Sequence, residues 1–135
     1  MNTLKLKYIA LGIAITGIIA ACSLDGGVQE CGFTQVNPIT AVAGETTMAV
    51  TDSIIFDVSV KLTNECGELQ QFSETNGFPK KISAVSYYDE CQCGSEAVTI
   101  TAPYTFKASA AGTYELRFVT ANADQPITKT ITVIE

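Results

Sequence analysis

The chain has 135 residues, with 8 basic and 14 acidic side chains, five cysteines and neither histidine nor tryptophan. That length holds one domain. Without histidine there is no ordinary general base near neutral pH and no commonest metal ligand, and the acidic excess excludes a basic nucleic-acid-binding face.

The N-terminal stretch differs from everything after it. Lys5 and Lys7 give a positive start, and no acid appears before Asp25. Tyr8 to Ala21 is then a nearly unbroken apolar run of fourteen residues. A bilayer-spanning helix needs about 20 apolar residues, so this run is too short for a good anchor and has the layout of a secretory signal peptide over residues 1–21. Its end, Ile19-Ala20-Ala21-Cys22, resembles the lipobox of bacterial lipoproteins. The resemblance implies cleavage between Ala21 and Cys22, a diacylglycerol thioether on Cys22 and acylation of the new amine. Two or three acyl chains hold a protein firmly, where one binds only marginally. Ser23 after that cysteine resembles the outer-membrane type, so the expected location is the bacterial cell envelope, outer membrane before inner.

Removing residues 1–21 takes away two lysines and no acid, which leaves 114 residues with a side-chain charge of −8. Residues 22–32, polar and containing Gly26-Gly27, read as the lipidated cysteine and a flexible tether. Residues 33–135 form the expected domain.

Within that domain the pattern is strand-like almost throughout. From Ser53 to Leu62, Ile54, Phe56, Val58, Val60 and Leu62 alternate with Ile55, Asp57, Ser59 and Lys61, a period of two. Gly112 to Thr120 repeats the pattern with Tyr114, Leu116 and Phe118 on one face, and Ile127, Ile131 and Val133 share a face near the C-terminus. Weaker strands are expected over about 33–43, 69–74, 80–90 and 96–107, with turns at Asn76-Gly77 and Pro79 and at Cys93-Gly94-Ser95. No segment shows a helical period. About seven strands with frequent turns predict an all-β fold, an antiparallel β-sandwich. Ala110-Ala111-Gly112-Thr113-Tyr114 resembles the tyrosine corner of immunoglobulin-like domains. That likeness implies an immunoglobulin-like sandwich with the Tyr114 hydroxyl bonded back to nearby backbone. Leu116 stands where antibody domains carry a disulfide cysteine, so the likeness is to the broad architecture alone.

With Cys22 lipidated, Cys31, Cys66, Cys91 and Cys93 remain, an even number in an oxidising compartment. Cys91 and Cys93 sit two apart on one strand face and bridge poorly to each other. Cys31 and Cys66 are therefore expected to pair each with one member of Cys91-Gln92-Cys93, in either order. If consecutive strands run antiparallel, all four gather at the pole nearest the tether. A zinc site and a redox-active Cys91/Cys93 pair are the competing readings. Poor ligand spacing opposes the first, and the negative charge of Asp89 and Glu90, which raises a thiol pKa, opposes the second.

No Gly-x-Ser-x-Gly, phosphate loop or His-Glu-x-x-His motif is present, and no catalytic residue, metal or cofactor is expected. The expected function is that of a non-catalytic binding or accessory module for an envelope or surface protein. A glycan-binding surface lipoprotein and a protease-inhibitor-like module are the alternatives. Phe72 and Phe78 lie in a turn-rich stretch followed by Lys80-Lys81, and Tyr87 and Tyr88 occupy opposite faces of the next strand. Phe72, Phe78 and Tyr88 are the candidate partner contacts.

Overall fold

A computed structural model describes residues 32–89 and 92–135. The expected signal peptide and lipobox with Cys22, and the cysteines Cys31 and Cys91, all lie outside those residues. Among the described residues nine strands run in chain order: β1 (Phe33–Asn37), β2 (Ile39–Ala43), β3 (Thr47–Ala49), β4 (Ile54–Leu62), β5 (Gly67–Glu74), β6 (Lys80–Tyr88), β7 (Val98–Phe106), β8 (Gly112–Phe118) and β9 (Ile127–Ile134).

The strands form two sheets. One is three-stranded, with β4 between β2 and β7; the other has six strands, centred on β6. On β6, Ile82 to Tyr88 pairs with β5 along one side. The other side is shared end to end: Lys80 to Ile82 pairs with β8, and Ala84 to Tyr88 with β1. β9 follows β8, and β3 closes that edge.

Alternation turns one face of each sheet inward. Phe56, Val58 and Val60 of β4 are fully buried, as are Ile82 and Ala84 of β6 and Leu116 and Phe118 of β8. Full burial of one such large side chain stabilises by about 1.5–3 kcal/mol. Phe118 sits at the centre, its ring 6.1 Å from Phe56 and 5.6 Å from Tyr104, so residues from both sheets share one core.

The all-β sandwich expected from the sequence is what forms. Two pairings among the described strands are parallel, β3 with β9 and β6 with β8, so the antiparallel pattern is not uniform. An immunoglobulin-like strand order does not follow from these pairings. The Tyr114 hydroxyl does donate to the Ala110 carbonyl at 2.8 Å, the local hydrogen bond that the tyrosine-corner likeness implies.

The stretch 33–43 is two strands in different sheets, not one. Pro38 has no N–H to give to a ladder and marks the crossing. The Ile39 N–H leaves β1's sheet partner and donates to the Val119 carbonyl at 2.9 Å.

Candidate functional site

The registers define two poles. Ile54 faces Phe106, Glu74 faces Ile82 and Gly112 faces Val133, so β4, β6 and β8 all begin at one end of the sandwich. Phe33, Leu62, Gly67, Tyr88 and Val98 mark the other, where the described chain enters at Gly32.

At the entry pole Cys66 is bonded to Cys93, with a Cα–Cα separation of 6.1 Å. The two described cysteines thus pair in one of the two expected combinations, and at the expected pole. Beside them Tyr88 is 1% exposed. That corrects its reading as a partner contact: Tyr88 is a core residue, and its exposed neighbour is Tyr87. The cause is parity, because Tyr88 shares the inner face of β6 with Ile82, Ala84 and Ser86.

Burying a phenol requires partners for its hydroxyl. The Tyr88 hydroxyl accepts from the Thr63 N–H at 3.0 Å and donates to Asn37 Oδ1 at 3.1 Å. Asn37, itself buried, donates through Nδ2 to the Lys61 carbonyl at 3.2 Å. The phenol ring stacks on Phe33 at 4.9 Å between centroids. This network ties β1, β6 and the end of β4 together. Outside it, exposed Glu65, Glu68 and Asp89 line a concavity of about 360 Å³ with Tyr87 and Cys66.

The distal pole has a different chemistry. Phe78, 48% exposed, sits on the β5–β6 loop. Its ring lies 4.8 Å from Tyr114 and 6.3 Å from Phe106, both at steep interplanar angles. Lys80 Nζ stands 5.5 Å from the ring centroid. The loop is laced at its base, since the Thr75 N–H donates to the Lys81 carbonyl and the Lys81 N–H to Thr75 Oγ1. Phe78 is thus an exposed aromatic packed edge-on against Phe106 and Tyr114.

Behind it, Glu74 accepts hydrogen bonds from Lys80 Nζ and from the Tyr104 hydroxyl, the latter at 2.8 Å. Burial pushes the Glu74 carboxyl upward, but the Lys80 and Tyr104 hydrogen bonds and the Lys80 charge outweigh it and hold the group below its ordinary value. Burial, followed by the bond to Glu74 and its negative charge, pushes the Tyr104 phenol well above the usual range. Glu74 therefore stays ionised and Tyr104 protonated near neutral pH, and neither exchanges a proton there. The pair joins β5 in one sheet to β7 in the other.

Two open concavities flank this end. One of about 510 Å³ is lined by Glu74, Lys80, Tyr104 and Lys107 among others. One of about 710 Å³ has Met48 and Ile54 against Glu45, Asp52 and Lys107. Lys107 stands between them. Among the described residues, no group of three or more His, Cys, Asp or Glu side chains is arranged to hold a metal ion.

Of the three candidate contacts, Phe78 alone is both exposed and at the distal pole. Phe72 is partly buried and packs edge-on against Tyr104 at 5.7 Å, so it plugs the core. The Glu74–Tyr104 bond spans 30 residues and carries no local sequence signature. Comparison with protein-family models, with curated proteins and with solved structures returns no match.

Proposed function

We propose that the chain is a cell-envelope lipoprotein, anchored through acylated Cys22, whose sandwich docks an envelope or surface protein at the pole away from the anchor. The observation that supports this reading is Phe78: half-exposed, packed edge-on against Tyr114, and at the opposite end of the domain from Gly32. A large exposed aromatic held in one geometry loses little entropy on binding and makes an effective anchor. On this reading the signal peptide and lipobox deliver and retain the domain, and the Cys66–Cys93 bond and the Tyr88 network brace the end that bears the tether.

A photo-crosslinking residue introduced at position 78 in intact cells tests the docking. A reproducible adduct of defined mass is expected there and not at position 57, which lies on the outer face of β4. Equal labelling at both positions, or none at 78, refutes docking through this pole. Fractionation tests the anchor: the Cys22→Ser variant should move to the soluble fraction, and its retention on membranes at high salt would refute it.

A further inference from the structure

Among the described residues five strands lie at a sheet edge: β1, β3 and β5 in one sheet, β2 and β7 in the other. Proteins blunt such edges with short strands, charges, bulges or proline, because an open edge is a template for pairing. β1, β2 and β3 have only three to five residues. β5 carries Glu68 and Glu74 and a bulge between Leu69 and Gln71. β7 differs from all of them. It pairs with β4 over nine unbroken positions and holds no charged residue, with Pro103 as its one interruption.

The direction of its free groups follows from β4. Opposed residues in an antiparallel ladder exchange both backbone bonds or neither, and the sense alternates along the strand. The Lys61 N–H donates to the Pro38 carbonyl at 3.0 Å, and the Lys61 carbonyl accepts from Asn37 Nδ2. Lys61 therefore exchanges nothing with Thr99 opposite it, and the N–H and C=O of Thr99 point away from β4. Those of Thr101, two residues on, point the same way. Pro103 falls in the same phase, where its missing N–H takes nothing from the ladder. Thr99 and Thr101 are exposed, and among the described residues no group bonds to their backbone. On the inner face beside them stand Val98, 36% exposed, and partly buried Ile100.

From this geometry we infer that an extended, uncharged segment of a partner protein adds as a fourth strand along Val98–Ala102, at a site separate from Phe78. Outward N–H and C=O groups at strand spacing are matched by another extended backbone and by little else. Antiparallel addition satisfies the donor and acceptor of both Thr99 and Thr101. Apolar side chains at alternate positions of the segment then cover Val98 and Ile100. Pro103, with a carbonyl but no N–H, ends the pairing. A strand without charge offers no ion pair, so a charged segment gains nothing there. A second copy of β7 is the weaker fit. Antiparallel self-pairing sets the Gly32 ends of the two chains at opposite poles, against the common membrane anchor of the reading above.

The test uses full-length protein purified in detergent and a displayed library of random linear peptides. Winners should be uncharged and alternate apolar with polar residues. A synthesised winner is then N-methylated at one residue at a time. Affinity should fall roughly tenfold or more at every second residue and little at those between, because alternate N–H groups face β7. That scan needs no change to the protein. Thr101→Pro removes one outward N–H, leaves the β4 ladder alone and should cause a similar loss. Thr101→Val, which keeps the N–H, should not. Charge-rich winners, a scan without a period of two, undiminished binding to Thr101→Pro, or no winners would overturn the inference. A concentration-dependent dimer in sedimentation, lost in Thr101→Pro, would replace the partner segment with a second copy. Crosslinking at position 78 is indifferent to Thr101→Pro, so docking at the distal pole and strand addition at β7 fail separately.

Discussion

Tyr88 shows how much one hydroxyl can organise. Its oxygen accepts a hydrogen bond from the Thr63 N–H and donates one to Asn37 Oδ1, at a site with almost no access to water. Tyr88→Phe keeps the ring and removes that oxygen, leaving a backbone donor and a side-chain carbonyl unpaired. The expected cost is about 1–3 kcal/mol in urea unfolding, because orphaned buried groups forfeit their hydration as well. Glu74 makes a pH-dependent contribution instead. Its folded pKa lies below the ordinary 4.5, so its stabilisation is complete above that value and lost as pH falls through the lower folded value. The Lys80 partner is partly solvated, so Glu74→Gln should cost only about 0.2–1 kcal/mol at neutral pH. The gap between variant and native midpoints should then close on acidification below 4.5. A gap that stays constant down to acid pH would show that the charge contributes nothing.

At the scale of elements, β5 and β6 approach closely where a glycine permits it. A Cβ on Gly67 would lie 2.5 Å from Tyr88 Cε1 and 2.8 Å from Cζ. The Tyr88 ring is pinned by its hydrogen bonds and cannot swing away, so Gly67→Ala should destabilise by about 1–3 kcal/mol through overpacking. Gly94→Ala provides the control, since nothing there approaches closer than 3.7 Å. A thermal melt of the two variants separates the effects. Strands themselves were unevenly legible. Every inward position of β4, and Leu116 and Phe118 of β8, carries a buried apolar side chain and the outward ones are mostly polar, and these strands stand close to where alternation puts them. β3 has three residues, too few to express a period, and it exists through parallel pairing with β9 more than 80 residues away. The division of 33–43 at Pro38 was also hidden. Asn37 and Ile39 are both buried, so the inward parity runs straight through the crossing. Which tyrosine of Tyr87-Tyr88 turns inward was only faintly written, because Ala84 and Ser86 compete with Val85 for the apolar face of β6.

Across the whole molecule, two ties hold the ends of the sandwich. The Glu74–Tyr104 bond joins the sheets at the distal pole, and Cys66–Cys93 links the β4–β5 turn to the segment after β6. The bridge closes a separation of 27 residues, for which loop entropy in the unfolded chain gives about 3.5 kcal/mol. Cys66→Ser should lower the unfolding free energy by up to that amount, read as a lower denaturant midpoint, without changing the far-ultraviolet circular dichroism of the folded state. A midpoint equal to that of the native chain would show that the bridge constrains nothing in the unfolded ensemble. The candidate site is a property of this scale. Phe78 was visible in the sequence as an aromatic beside a turn and two lysines. Its partners Phe106 and Tyr114 come from β7 and β8, and its distance from the chain's entry point depends on which way β6 runs.

The sequence by itself determined the all-β class, the frame of the longest strands, and a division of cysteines that set Cys66 against the Cys91–Cys93 pair. Those properties follow from local periodicity, turn chemistry and short-range geometry, which neighbouring residues express without help. Only the tertiary structure decided the parallel pairings, the choice of Cys93 for Cys66, the burial of Tyr88, and the packing of Phe78 against Phe106 and Tyr114 at one pole. Each of these depends on residues tens of positions apart competing for the same space, partner or hydrogen bond, and that competition is resolved when the two sheets close over one core.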